Sequence, residues 1–299
     1  MLERRYAEVN GVRLHYATSG KGKLILFLHG FPEFWYAWRN QLSEFARDFQ
    51  AVAPDLRGYN LSSKPAEVER YAMPELVEDI RALAAHLGHS QLILVGHDWG
   101  GVVAWATALY HPELLEKLII INAPHPGIFE RELRTNAAQQ RASQYMLIFC
   151  SPQAEAILSA NHYAFLVDAV LGQGLKVGYF TDADRTEYIQ AWSHPGALTS
   201  GLNYYRAALR GPGPPAAAAA GNLASLMAPW PTMLSLTVKV PTLVVWGERD
   251  PYLLTGNLEG LEDFVPDLKV ERVSDGSHWV VHEKPALVNA AIRRFVQSE

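Results

Sequence analysis

Compact apolar runs alternate with helical patterns over the first 125 residues of the chain. Each run is three to five residues long and contains no charged residue, which is typical of a strand buried on both faces of a sheet. The runs are residues 24–28, 51–53, 92–95 and 118–121. Between them, residues 74–87 repeat apolar side chains at helical spacing and stop at Gly88, so they predict a helix, and residues 101–110 predict another. Strands joined by crossover helices predict a parallel, doubly wound sheet.

The pattern changes after residue 124. Up to about residue 236 the sequence is mainly helical and rich in aromatic residues, with no run typical of a buried strand. Two further strand-like runs, residues 241–246 and 269–273, and an amphipathic helix over residues 285–296 complete the chain. The sequence therefore predicts an α/β core interrupted by a helical insertion that is large enough to cover an active site.

We predict three parts with these boundaries. Residues 1–124 form the first part of the core, residues 125–236 the helical cap, and residues 237–299 the second part of the core. Inside the cap, residues 211–220 have the sequence GPGPPAAAAA. Glycine and proline interrupt regular structure and alanine favours helices, so this tract predicts a surface loop running into a short helical piece.

Composition and charge narrow the possible partners. The formal net charge of −5 and the scattered basic residues give no electrostatic reason to expect nucleic acid. No apolar run approaches the roughly 18–20 residues needed to cross a bilayer, and the first residues lack the apolar centre of a signal peptide. We therefore expect no membrane partner and a cytoplasmic protein. The lone Cys150 lies among apolar neighbours, so we expect a buried, inert thiol.

A glycine-flanked aspartate is the sharpest chemical feature of the sequence. Residues 96–100 have the sequence GHDWG and stand directly between the predicted strand 92–95 and the predicted helix 101–110. This is the pattern of a nucleophile elbow, with Asp98 where many hydrolases have serine. Such a turn is strained, lifts its side chain above the sheet edge and directs the Trp99 N–H, at a helix N-terminus, toward the reacting centre.

Two further residues complete a possible catalytic triad. Asp250 follows the strand at 241–246 and His278 follows the strand at 269–273. Both are therefore expected beyond the C-terminal ends of strands, where a parallel sheet collects its functional side chains. The order nucleophile, acid, histidine also fits the elbow. Asn122, which follows another strand, provides no carboxylate, and this favours Asp250 as the acid.

The segment HGFPE at residues 29–33 follows the first strongly apolar strand. Its position predicts that the Phe31 N–H acts together with the Trp99 N–H as an oxyanion hole. A cis peptide bond before Pro32 would fix the tight turn at this place.

Three other histidines compete with His278 for the role of base. They are His29, His97 and His282. The first two adjoin the expected oxyanion hole and nucleophile, so we interpret them as structural hydrogen-bonding residues packed beside the site.

These motifs together resemble those of the soluble epoxide hydrolases. The matching segments are HGFPE at 29–33, WYAWR at 35–39, GHDWGG at 96–101 and SHW at 277–279. They lie in the core on both sides of the insertion. The resemblance implies the α/β-hydrolase fold, a doubly wound, mostly parallel sheet with an inserted helical cap. It also implies that Asp98 opens an epoxide before His278, oriented by Asp250, activates water.

The resemblance continues inside the predicted cap. Residues 143–149, SQYMLIF, and residues 202–206, LNYYR, are similar to two cap segments that carry the ring-opening tyrosines of that family. The match implies that Tyr145 and Tyr205 are the pair, with Tyr204 as the alternative to Tyr205. A phenol with an ordinary pKa near 10 is a competent acid toward a much more basic alkoxide.

An aspartate nucleophile restricts the class of reaction. Aspartate side chains ordinarily have a pKa near 4, so they are ionised at pH 7 and need no base for the first step. Such a carboxylate can displace at a saturated carbon and leave an ester, which suits strained C–O bonds or activated C–halogen bonds. Water then attacks the ester, and an epoxide leaves as a vicinal diol. We expect no metal or organic cofactor, because the histidines do not fall at paired helical spacing with carboxylates.

The expected substrate is a small apolar epoxide. Aromatic residues are frequent in the cap and around the motifs, and an apolar pocket lined by aromatic rings would accept such a molecule. The residues expected to contact it are Trp35, Phe149 and Trp279.

Three other functions stay open. Haloalkane dehalogenases share the aspartate, the triad and the fold and use a tryptophan where Trp99 stands, but they commonly have asparagine where Phe31 stands. Haloacid dehalogenases that act on fluoroacetate place an arginine after the nucleophile to pair the substrate carboxylate, and Trp99 cannot do this. The third is a non-catalytic ligand receptor on the same fold, and the intact triad argues against it.

Overall fold

The computed structural model describes residues 1–209 and 235–298. Its strands are β1 (Glu3–Val9), β2 (Val12–Ser19), β3 (Leu24–Leu28), β4 (Gln50–Pro54), β5 (Leu92–His97), β6 (Leu115–Ile121), β7 (Thr242–Gly247) and β8 (Leu268–Val273). They form one eight-stranded sheet in the order β1-β2-β4-β3-β5-β6-β7-β8. Strand β2 is antiparallel to β1 and β4, and every other pair is parallel. The predicted doubly wound, mostly parallel sheet is confirmed.

Burial explains which strands the hydrophobic pattern predicts. Every residue of β3, β5 and β7 is buried, as expected for central parallel strands with both faces covered. The first two strands differ, since β1 begins with four exposed residues and turns into β2 through Asn10 and Gly11, both with positive φ. This antiparallel hairpin was not among the predicted strands, because its mixed polar and apolar residues form no compact apolar run.

The helices lie between the strands and in the insertion. They are α1 (Arg39–Phe45), α2 (Met73–His86), α3 (Trp99–Tyr110), α4 (Pro126–Thr135), α5 (Ala137–Ala142), α6 (Tyr145–Phe149), α7 (Ala154–Leu166), α8 (Gly172–Val177), α9 (Asp182–Ser193), α10 (Ala197–Leu209), α11 (Val280–Glu283) and α12 (Pro285–Gln297). Helix α7 is broken near its middle, where Asn161, His162 and Tyr163 have positive φ. The predicted helices at 74–87, 101–110 and 285–296 correspond to α2, α3 and α12, with ends that differ by one or two residues.

Helix α9 joins the helical insertion to the core segment that follows β3. Three hydrogen bonds connect them, and each pairs a side chain of one part with a group of the other. The bonds run from Tyr36 to Asp184, from Tyr188 to Glu33 and from Trp192 to the carbonyl oxygen of Pro32. The insertion therefore covers the C-terminal end of β3, where the HGFPE segment begins.

Among the described residues between β6 and β7, the helices are joined by loops and no strand is present, as the sequence predicts. The boundaries of the cap at residues 125 and 236 stay predictions, and the tract at 211–220 lies outside the described residues. In the described part of the chain no helix is both long and apolar enough to cross a bilayer.

Cys150 is partly exposed and not fully buried, because it lies just beyond the C-terminal end of α6. Burial still raises the pKa of its thiol to about 11, so the thiol is not ionised at neutral pH.

Candidate active site

Asp98 occupies a sharp turn between β5 and α3. Its backbone has a φ of 51° and a ψ of −125°, a conformation that side-chain-bearing residues rarely adopt and that persists only where the surroundings enforce it. The turn requires small neighbours. A Cβ on Gly96 would lie 2.4 Å from the carbonyl oxygen of Gly100, and a Cβ on Gly100 would lie 2.2 Å from that of Leu28. The GHDWG segment therefore forms the tight strand-to-helix elbow that its sequence predicts.

The loop after β3 holds one oxygen of the Asp98 carboxylate. The Phe31 N–H donates to Oδ1 at 2.8 Å. A Cβ on Gly30 would lie 2.2 Å from the same oxygen, so only glycine allows this close approach. The peptide bond before Pro32 is cis, as predicted. Of the two expected oxyanion donors, Phe31 thus lies against the carboxylate and Trp99 begins α3 directly after it.

A buried carboxylate orients the imidazole of His278. Oδ2 of Asp250 lies 2.6 Å from Nδ1 of His278, and Oδ1 of Asp250 accepts the N–H groups of Tyr252 and Leu253. Asn122 donates to Asp250 Oδ2 at 2.8 Å. Burial alone would raise the pKa of Asp250, but His278 and the backbone donors outweigh it and lower that pKa. The carboxylate is therefore ionised and fixed in position.

The other ring nitrogen of His278 faces the nucleophile. Its Nε2 lies 3.5 Å from Oδ2 of Asp98, the oxygen that Phe31 does not hold. Burial by itself lowers the pKa of His278, but the carboxylates of Asp250 and Asp98 outweigh burial and raise it to about 10. In the resting site the imidazole is therefore protonated at neutral pH. The Asp98 side chain is 13% exposed, so it is accessible to a small molecule.

The three competing histidines all have structural partners. His29 bonds to the backbone through both ring nitrogens, and the Nε2–H of His97 donates to the carbonyl oxygen of His278 at 2.9 Å. His282 bonds to the carboxylate of Glu33 at 2.7 Å. The interpretation of His29 and His97 as structural hydrogen-bonding residues beside the site is confirmed.

Glu33 is an ionised group buried where the cap meets the core. Its Oε1 accepts from the Tyr188 hydroxyl and the His282 ring, each at 2.7 Å, and Nδ1 of His97 lies 3.5 Å from its Oε2. Burial raises the pKa of Glu33, but His282 and then His97 outweigh it and hold that pKa well below its usual range. The buried Glu33 carboxylate thus connects α9 to His97, whose ring donates a hydrogen bond to the backbone carbonyl oxygen of His278.

Tyr145 and Tyr205 bring two phenols from the cap to the elbow. Their ring centroids lie 6.2 Å apart, and the Tyr205 ring packs edge-on against Trp99 at 5.1 Å. Burial, with a smaller contribution from nearby charges, raises the pKa of both phenols well above its ordinary value, so both stay protonated. Tyr204 differs because its hydroxyl donates to the carbonyl oxygen of Arg57 at 2.8 Å. This engagement favours Tyr205 over Tyr204 as a donor to a ligand.

The three residues expected to contact the substrate have different positions. Phe149 packs against Phe31, Tyr145 and Tyr205 at centroid distances of 5.1–5.3 Å. Trp279 stacks edge-on with the His278 imidazole at 4.9 Å. Trp35 is not brought to this group. The short 3₁₀ turn Trp35–Trp38 directs its ring toward β1, where the Arg4 guanidinium lies 4.9 Å from the ring centroid.

Three residues of the site were missed by the sequence analysis as contributors. Asn122 supports Asp250, Tyr252 packs its ring against His278 at 5.4 Å, and Gln139 of α5 donates to the Tyr252 carbonyl oxygen at 2.7 Å. The position of Asn122 at the end of β6 was a usable signal, because side chains there meet the Asp250 loop. The sequence around Gln139 contains no comparable signal.

Within residues 1–209 and 235–298, no three His, Cys, Asp or Glu side chains are grouped to hold a metal ion. The expectation of a cofactor-free reaction stays a prediction.

Sequence comparison places the chain among known hydrolases. Residues 23–285 match the family described as alpha/beta hydrolase fold. The chain is 38% identical over 299 residues to the AB hydrolase superfamily protein YfhM of Bacillus subtilis, covering 99% of this chain and 98% of that protein. It is 37% identical over 298 residues to Epoxide hydrolase 4 of Mus musculus, covering 97% of this chain and 78% of the relative.

Solved structures give the same relationship. The Bacillus megaterium epoxide hydrolase in complex with an inhibitor superposes with a TM-score of 0.89 at 41% identity, covering 98% of this chain and 100% of that chain. The epoxide hydrolase VrEH1 from Vigna radiata gives a TM-score of 0.80 at 30% identity, covering 99% and 98% respectively. The fold, the long matches and the arrangement around Asp98 lead to one conclusion: the chain belongs to the epoxide hydrolase family of the α/β-hydrolase fold.

Proposed function

We propose that this enzyme converts small apolar epoxides to vicinal diols through an ester formed on Asp98. One observation carries the proposal: the two oxygens of a single carboxylate have different partners. Oδ1 accepts the Phe31 N–H, whereas Oδ2 faces Nε2 of His278 across 3.5 Å. The relatives named epoxide hydrolases support the substrate class.

In the first step Oδ2 of Asp98 attacks a carbon of the epoxide ring. A C–O bond forms to that carbon as the ring C–O bond breaks, and the ring oxygen becomes an alkoxide. Tyr145 and Tyr205 hydrogen-bond this oxygen, and one phenol gives it a proton. The raised pKa of both phenols keeps them protonated until the alkoxide forms. Because Oδ1 is held by Phe31, Oδ1 becomes the carbonyl oxygen of the ester.

The second step depends on the charge that the first step removes. Once Asp98 is an ester, only Asp250 still raises the pKa of His278 as a neighbouring carboxylate, so that pKa falls. The imidazole gives its proton to the phenolate that the first step left, then accepts one from water, whose oxygen attacks the ester carbon. The N–H groups of Phe31 and Trp99 hold the oxyanion on Oδ1. Collapse breaks the bond from the ester carbon to Oδ2, and the second proton of the attacking water passes to the departing Oδ2. The diol is released and the Asp98 carboxylate is restored.

Single turnover in water enriched in heavy oxygen tests the covalent route. With enzyme in excess over styrene oxide, we expect an unlabelled diol after the first turnover and the label in the Asp98 carboxylate, measured by mass spectrometry of the peptide. Label entering the diol directly would refute the ester. Asp98→Ala should abolish turnover, while Asp263→Ala, at an exposed position, should leave it unchanged. Undiminished turnover by Asp98→Ala would equally end the proposal.

The same preparation tests the alternative functions. Trp99, directly after the nucleophile, is the residue that keeps a dehalogenase under consideration, so bromide release from 1-bromobutane should be measured beside diol formation. We expect diol and no bromide. Bromide without diol would favour a dehalogenase, and neither product together with tight ligand binding would favour a receptor. A cofactor-free reaction and a cytoplasmic location are parts of this proposal that metal analysis and cell fractionation can test.

A further inference from the structure

Tyr252 joins the two halves of the site. Its ring centroid lies 5.4 Å from that of His278 in the core and 5.4 Å from that of Tyr145 in the cap, in edge-on arrangements. Its backbone N–H donates to Oδ1 of Asp250 at 2.8 Å, and its carbonyl oxygen accepts from Gln139 at 2.7 Å. The backbone of Tyr252 is therefore fixed by Asp250 and by Gln139 of α5, and its ring lies between His278 and Tyr145.

The rings around Asp98 differ in exposure from one side to the other. Phe31, Phe149 and Tyr205 are buried, with 6%, 7% and 3% of their surface exposed, and their centroids lie 5.1–5.5 Å apart. Tyr252 and Trp279, on the His278 side, are partly exposed. The rings are thus buried on the Phe31 side, here called the closed side, and partly exposed on the Tyr252 side, here called the accessible side.

We propose that Tyr252 determines specificity and that the site takes terminal epoxides whose single large substituent is aromatic. The proposal rests on the function proposed above. The unsubstituted ring carbon lies toward the closed side, because a second large substituent there would have to displace packed rings. The aromatic substituent lies toward the accessible side, where its ring meets Tyr252 edge-on. Such contacts between rings favour an aryl group over an alkyl group of similar size.

The test compares three epoxides and two variants. Styrene oxide is terminal and aromatic, 1,2-epoxyhexane is terminal and aliphatic, and trans-stilbene oxide carries two large groups. We expect kcat/KM for styrene oxide to exceed that for trans-stilbene oxide by about tenfold or more. Tyr252→Leu should lower kcat/KM for styrene oxide about 3- to 10-fold and that for 1,2-epoxyhexane by less than about twofold. Tyr252→Phe keeps the ring and should retain the preference for styrene oxide over 1,2-epoxyhexane, which Tyr252→Leu should lose. Asp263→Ala, at an exposed position, should match the parent on both.

Each other outcome has a defined meaning. Equal losses for the two terminal epoxides in Tyr252→Leu would overturn the specificity role, as would equal efficiency toward trans-stilbene oxide. If the parent enzyme opens no epoxide, the proposed function fails, and calorimetric binding of the diols then tests Tyr252 separately. Tighter binding of 1-phenylethane-1,2-diol than of hexane-1,2-diol, lost in Tyr252→Leu, would support the role of this ring. Equal binding of the two diols would overturn it.

Discussion

Nε2 of His278 lies 3.5 Å from Oδ2 of Asp98, so the proposed base already faces the nucleophile before any substrate binds. Because Asp250 contacts the other ring nitrogen at 2.6 Å, the imidazole stands between two carboxylates. Their charges make the protonated ring the resting form, and this has a consequence for stability as well as for catalysis.

The first prediction concerns the pH dependence of stability. The pKa of His278 is raised to about 10 in the folded protein, whereas an unfolded histidine titrates near 6.5. Between these values the folded state keeps a proton that the unfolded chain has released, so the free energy of unfolding falls as pH rises, by at most about 1.4 kcal/mol per pH unit. Below about pH 6.5 the contribution is fully present. Urea unfolding at about pH 7 and about pH 9 should show a steeper fall for the parent than for His278→Gln. Parallel dependences would contradict the raised pKa.

A second prediction uses the close approach of Gly30 to the nucleophile. In Gly30→Ala the new Cβ would lie 2.2 Å from Oδ1 of Asp98, so the carboxylate must move from its position. We expect kcat/KM for styrene oxide to fall on the order of 10²-fold, since misplacement by about 1 Å has such effects.

Gly88→Ala is the matched control for this change. Gly88 has a φ of +84° and nothing within 4 Å of the added Cβ, so this variant should lose about 1 kcal/mol of stability through backbone strain and keep its activity. Full activity in Gly30→Ala would show that the loop does not constrain Asp98.

The third prediction separates two adjacent tyrosines. Tyr205→Phe removes a phenol from the elbow and should lower kcat on the order of 10²-fold. Tyr204→Phe removes the donor to the Arg57 carbonyl oxygen and should lower stability by about 1 kcal/mol, with kcat within about twofold of the parent. Steady-state kinetics and thermal unfolding of both variants check this, and an exchange of the two effects would assign the ring-opening role to Tyr204.

A fourth prediction concerns the buried charge of Glu33. Tyr188→Phe removes one of the two donors at 2.7 Å to Oε1 and leaves His282 as the other. Because Glu33 is ionised and buried, we expect the free energy of unfolding to fall by about 2 kcal/mol. Tyr6→Phe, at a 41% exposed position, should change it little. Equal stability of the two variants would show that Tyr188 does not stabilise the charge.

The sequence locates the central sheet well because burial on both faces requires compact apolar runs, as in β3, β5 and β7. The elbow at Asp98 is equally readable, since its glycines are needed by close backbone approaches, of Gly96 to Gly100 and of Gly100 to Leu28. The β1–β2 hairpin is harder to predict, because β1 is an exposed edge strand and β2 mixes polar residues with apolar ones.

Contacts between elements that are far apart in the chain could not be predicted from the sequence. Gln139 and Tyr252 are 113 residues apart and Tyr188 and Glu33 are 155 apart, so no local pattern connects them. Trp35 illustrates the same difficulty, because it belongs to a matching motif while its ring lies against the Arg4 guanidinium. Orientation and long-range pairing depend on the packed fold, and a motif does not encode them.

Helix α9 is bound to the core by three hydrogen bonds, two of which end on carboxylates, one of them the buried and ionised Glu33. Movement of the whole cap away from the core would break all three hydrogen bonds. It would also leave the buried Glu33 carboxylate without the Tyr188 donor, at a cost in free energy in every catalytic cycle. We therefore expect reactant and product to exchange while α9 stays in place. A chemical cross-link between α9 and the segment that follows β3 should therefore leave the enzyme active.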